Sequence, residues 1–201
     1  MSLRDRKEKK ELAATIERSR HLLMSGQHQD NFELLERAVR QFPDDPEIRL
    51  LYATTLLEYR VDDVASEACK AAELAPDNPR ILVRAAHLML DRGDVDSARA
   101  AAIRADALAQ PDFVLMADLI NLKGLLAAID GEDHLAEENL RSALGRQPSN
   151  GPFAIDLARH LVSKGRREEA VEVIDQALMS TDKRENLERV RAEIAETNSA
   201  S

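Results

Sequence analysis

A glycine recurs in this chain with alanines at fixed distances behind it. Gly93 is followed by Ala98 and Ala105, Gly131 by Ala136 and Ala143, and Gly165 by Ala170 and Ala177. Gly131 and Gly165 stand 34 residues apart, while Pro43 to Pro76 and Pro46 to Pro79 are 33 each. A segment of that length holds one helical hairpin and cannot bury a core alone, so such units must stack on their neighbours. The punctuation agrees. Gly26, Gly93, Gly131 and Gly165 each follow an apolar-periodic stretch of helical length, where a left-handed helix C-cap is expected. The seven prolines (Pro43, Pro46, Pro76, Pro79, Pro111, Pro148, Pro152) all fall between units, as residues that start helices or break them.

Composition narrows what fills the units. Aromatics are 3% and tryptophan is absent, so the core must be Leu, Ala, Val and Ile. That suits closely packed helices better than a β-sandwich, whose strands favour aromatic and β-branched residues. With 44% hydrophobic and 32% charged residues the chain is expected to be folded and soluble. A formal charge of −9 repels phosphate backbones and anionic lipid, which disfavours nucleic acid or a membrane as partner. The basic opening "RDRKEKK" is short and interleaved with acids, and is expected to be a solvated helix end. Cys69 is the single cysteine, which excludes an intramolecular disulfide and a cysteine cage for zinc. No apolar run reaches the roughly 18 residues of a membrane span, and the N-terminus lacks a secretory pattern. The expected compartment is the cytoplasm, unless an export signal once preceded this sequence.

The period and its small residues resemble the tetratricopeptide repeat, a helix–turn–helix unit of 34 residues. In residues 117–150 the matches are Gly124, Ala136, Leu140, Ala143 and Pro148. Residues 79–112 offer Ala86, Ala98, Ala102, Ala105 and a displaced Pro111. Residues 151–184 offer Ala158, Ala170, Ile174 and Ala177, and residues 46–78 offer Ala53, Val64, Ala68, Ala71 and Pro76 with one residue lost near the turn. The first unit, 12–45, fits at Ser19, Leu35, Ala38 and Pro43, but Asn31 replaces the first alanine of its second helix. Arg49, Leu82, Ile120 and Ala154 stand in place of the family's tryptophan. The resemblance implies an all-α, right-handed superhelical solenoid of about five repeats forming one domain over residues 1–197. A capping helix would occupy 185–197, with Leu187, Val190 and Ile194 as its apolar stripe, and 198–201 would fray. Four extra residues separate the third and fourth units. They are close to one helical turn, so the sequence from Phe113 to Gly124 is expected to form one lengthened helix.

Chemistry is sparse. His21, His28, His87, His134 and His160 are scattered and form no metal-ligand pair with a carboxylate base. No phosphate-binding glycine motif is present, and Cys69 reads as a structural thiol. Acid pairs such as Asp44/Asp45, Asp62/Asp63 and Glu168/Glu169 suit helix N-termini. No catalytic residue, metal or cofactor is therefore expected, and the chain reads as a non-enzyme. The resemblance implies a groove lined by the first helix of each unit, holding a partner protein or peptide. Its positions here are Ile16, Arg20, Leu23, Met24, Leu50, Thr54, Leu57, Arg80, Val83, Arg84, His87, Asn121, Leu122, Leu125, Ile155, Asp156, Arg159 and Val162. Arg80 and Arg84 lie four apart on one helix face and can reach one anion, so the expected partner carries an acidic group or a C-terminal carboxylate. The family's chaperone-tail clamp is only partly matched, since Ile16, Arg20 and Leu51 replace a lysine and both asparagines. Arg80 and Arg84 as ordinary solvated charges, neutralised by nearby acids, is the competing reading. An alternative function is a self-assembling subunit of a multi-protein assembly, such as bacterial secretion, pilus or envelope machinery, forming a homo-oligomer through an outer repeat face or the turn Phe113–Met116.

Overall fold

The computed structural model describes residues 3–109, 113–181 and 184–196, and these contain eleven α-helices, one short 3-10 turn and no strand. In chain order the helices are α1 (Leu3–Met24), α2 (His28–Gln41), α3 (Pro46–Tyr59), α4 (Val64–Leu74), α5 (Pro79–Asp91) and α6 (Val95–Leu108). They continue with α7 (Phe113–Ile129), α8 (Asp133–Arg146), α9 (Gly151–Ser163), α10 (Arg167–Ser180) and α11 (Glu185–Glu196). The chain divides into two compact units, residues 1–108 and residues 109–201, a few residues before the four-residue insertion. The lengthened helix is present, because α7 begins at Phe113 and runs 17 residues where α3 and α9 have 14 and 13. Pro111 and residues 198–201 lie outside the described residues.

Both ends of these helices follow from local chemistry. Gly26, Gly93, Gly131 and Gly165 are the residues with positive φ, at 70°, 79°, 77° and 75°, among those described. Each is the hinge of the same C-terminal motif. At Gly93 its own N–H donates to Leu90 and the next N–H, of Asp94, to Met89, both at 2.9 Å; Gly165 repeats this with Val162 and Leu161. The starts are capped by side chains. Asp45 accepts from the Ile48 N–H at 2.9 Å, and Asn78 accepts from Arg80 and Ile81, each with proline in the first helical turn. Loss of such a cap costs about 1 kcal/mol. The second hairpin lacks the glycine. There Arg60 ends α3 at φ −145° and a 3-10 turn, Val61–Asp63, leads directly into α4.

Within each hairpin the recurring small residues sit at the contact between helices. Ala53, Ala68, Ala86, Ala98, Ala105, Ala136, Ala143, Ala158 and Ala170 are all fully buried. A Cβ added to Gly124 would lie 2.9 Å from Leu140 Cγ, so α7 and α8 approach as closely as a glycine permits. The arginine in the family's tryptophan position of the second repeat is tolerated because it is paired. Arg49 Nη1 reaches Glu67 Oε2 at 2.6 Å and Arg49 Nε donates to the Pro43 carbonyl at 2.7 Å, with both ionised side chains less than one-sixth exposed. In the unit of residues 109–201 the core joins Leu140, Leu157, Leu161 and Ile174 to Leu187, Val190 and Ile194 of α11. Each of those three α11 side chains contributes about 2 kcal/mol by leaving water. Helix α11 thus packs its apolar stripe against α9 and α10.

Candidate functional site

In residues 1–108 the first helix of each hairpin packs on the next, α1 on α3 and α3 on α5. Three charged side chains meet across that row. Glu47, in the first turn of α3, presents Oε1 to Arg20 Nη2 of α1 at 3.3 Å and to Arg84 Nη1 of α5 at 3.4 Å. Arg20 Nη1 is also held by Glu17 at 2.7 Å. Arg80, one turn before Arg84, is exposed on the same helix. The Arg20 and Arg84 side chains remain 51% and 47% exposed, whereas Glu47 is 24% exposed. Two guanidinium groups therefore converge on a single carboxylate oxygen while about half of each arginine side chain is exposed to solvent.

Not every expected groove residue lies at the surface. Leu50, Val83, Asn121 and Leu122 are almost wholly buried and offer nothing to a partner. The correction is rotational. A step of one residue turns a helix position by about 100°, so Val83 points into the core while Arg80, Arg84 and half-buried His87 share the outer stripe. Along α3, Leu50 is buried, Thr54 is half-buried with its hydroxyl on the Leu50 carbonyl, and Leu57 is exposed. Leu125, Ile155 and Val162 pack against the core of their own unit, and Arg159 is exposed. Ile16 and Leu23 are half-buried, and Met24 is exposed. The side chains of Phe113 and Val114, on which self-assembly was expected to rest, lie outside the described ones; Met116 is half-buried.

The same row in residues 109–201 has a different character. Asn121 Nδ2 of α7 donates to Asp156 Oδ2 of α9 at 3.1 Å, and Asn121 Oδ1 is buried without a hydrogen-bond partner. The charge network of this unit lies instead on its second helices. Arg166, preceding α10, reaches Glu137 of α8 at 2.6 Å and Glu169 at 2.5 Å, and Arg141 of α8 bonds both Glu137 and Glu169. The hydrogen bond from Arg166 holds the Glu137 carboxyl below the usual range, and that from Arg141 does the same for Glu169. Sequence reasoning missed both Glu47 and this network. Their signal, opposite charges about one repeat apart, is common on any charged helical surface.

Among the described residues no three His, Cys, Asp or Glu side chains are grouped to hold a metal ion. None of the described helices is long and apolar enough to cross a membrane. The described residues form a repeated series of helical hairpins.

Residues 134–194 match the family model of the tetratricopeptide repeat. Searching curated proteins by sequence finds no match. The chain is similar in structure to a thermophilic TPR protein of Thermus thermophilus, with TM-score 0.73 and 22% identity over 92% of this chain and 98% of that one. It is also similar to pilF of Pseudomonas aeruginosa (TM-score 0.65, 15% identity, 96% and 86% covered). A third similar structure is PilW, described as a widely conserved type IV pilus biogenesis factor (TM-score 0.66, 19% identity, 84% and 77% covered). The fold is that of the tetratricopeptide-repeat proteins, an all-α fold of stacked hairpins.

Proposed function

We propose that the chain is a non-catalytic interaction module that holds an acidic segment of a partner protein on the first-helix face of residues 1–108. The observation that carries this reading is the convergence of Arg20 and Arg84 on the Glu47 oxygen. A chain of net charge −9 has no general attraction for an acidic partner, so recognition must come from a local cluster. Guanidinium groups bind carboxylates through paired donors, and half-exposed ones do so without the desolvation penalty of burial. The test is calorimetric titration with an acidic peptide bearing a free C-terminal carboxylate. Arg84→Glu is expected to weaken binding at least about tenfold, a loss of about 1.4 kcal/mol, with no fall in melting temperature. Unchanged affinity would show that the face is not the site. PilW and pilF share the fold, and a place for this chain in an assembly of several proteins is in keeping with that likeness of fold.

A further inference from the structure

We infer that Glu47 is a built-in occupant of the anion seat between Arg20 and Arg84, so that a partner's carboxylate competes with it for their donors. This rests on the reading above that the seat is a binding site, and it adds how the seat is regulated. Three features of the geometry support it. Both arginines address the same oxygen, Glu47 Oε1, at 3.3 and 3.4 Å, long for charge-assisted hydrogen bonds, which are typically about 2.7–2.9 Å. By contrast the paired charges of Glu137 and Arg166 close to 2.6 Å, and those of Arg49 and Glu67 to 2.6 Å. Glu47 also lies on the middle helix of the three, its carboxylate between donors that come from α1 and α5. A ligand carboxylate placed over the row shares the guanidinium donors of Arg20 and Arg84 with Glu47, its competitor at the shared point. The seat therefore favours ligands carrying two or more carboxylates, which offset the loss of the internal contact, over those with one.

Glu17 is the natural control. It also pairs with Arg20, at 2.7 Å, but it lies on α1 itself, is 72% exposed, and makes no contact with Arg84. Removing either acid changes net charge equally, whereas only Glu47 joins the two arginines. The experiment measures binding of a fluorescein-labelled Asp-Glu-Glu-Asp peptide with a free C-terminus to the full chain and to Glu47→Gln, Glu17→Gln and Arg84→Glu. Melting temperatures are recorded alongside. Glu47→Gln should tighten binding up to about fivefold, the factor carried by an exposed ion pair, and Glu17→Gln should change it by less than about half of that. Equal gains in the two variants would reduce the effect to net charge and overturn the inference. Weaker binding by Glu47→Gln would make Glu47 a positioning residue, with the same consequence. If Arg84→Glu binds as the parent does, or no form binds the peptide, the site itself is wrong and this inference fails with it.

Discussion

The two units use their own first helices in opposite ways. In residues 1–108 the row of first helices carries exposed arginines around Glu47. In residues 109–201 the matching row carries a half-buried Asn121–Asp156 hydrogen bond and apolar side chains turned into the core. Packing differs in the reverse sense. The α7–α8 hairpin closes on Gly124, Ala136 and Ala143, all fitted against apolar neighbours. The α1–α2 hairpin buries Ser19 and Asn31 completely, and the Ser19 hydroxyl and both polar atoms of the Asn31 amide lack a hydrogen-bond partner. An unsatisfied buried polar group costs about 1–3 kcal/mol. Residues 109–201 also bury unsatisfied atoms, Asn121 Oδ1 and His160 Nε2, so the contrast lies between the α1–α2 and α7–α8 interfaces rather than between the units as wholes.

Gly124→Ala gives the largest expected effect. Helix propensity alone would favour alanine by about 1 kcal/mol, but the new methyl lies 2.9 Å from Leu140 Cγ and 3.1 Å from the Leu140 backbone nitrogen. Overpacking costs of about 1–3 kcal/mol should prevail, and urea unfolding should show a net loss. A gain in stability would mean that α7 and α8 can part freely. Arg159→Glu sharpens the contrast of faces: acidic-peptide affinity should change less than about twofold, against the tenfold expected for Arg84→Glu. Comparable losses at both positions would erase the distinction between the units.

Asn31→Ala should stabilise the chain by about 1 kcal/mol, since the amide's desolvation cost outweighs the small void left behind. A lower melting temperature would show that the amide is satisfied in solution.

The smallest effect is a pH dependence. Glu137 and Glu169 have carboxyls depressed by their arginines, so their ion pairs stabilise the fold above the ordinary carboxylate range. That contribution is lost as pH falls through the depressed values. Replacing Glu169 by Gln should flatten the acid limb of a melting-temperature profile recorded between about pH 6 and pH 3. An unaltered limb would assign it to other carboxylates.

Much of the fold could be read from residues whose roles are local. The four positive-φ glycines are those singled out by the hairpin pattern, because a left-handed C-cap penalises every other residue. Helix α7 gained its turn where four residues were inserted. The site was less legible. Arg20, Arg80 and Arg84 are exposed on first helices as expected, but Leu50, Val83, Asn121 and Leu122 are not, since one residue of helical rotation separates groove from core. Glu47 escaped notice for a different reason. Its importance depends on two residues, 27 positions before it and 37 after, and no local pattern relates them.

Arginine side-chain Nε–Hε resonances, followed while the acidic peptide is added, locate the contact most directly. Shifts at Arg20 and Arg84 with Arg159 unmoved are the predicted result. Movement of Arg159 alone, or of none of the three, would contradict the assignment of function to the first-helix face of residues 1–108.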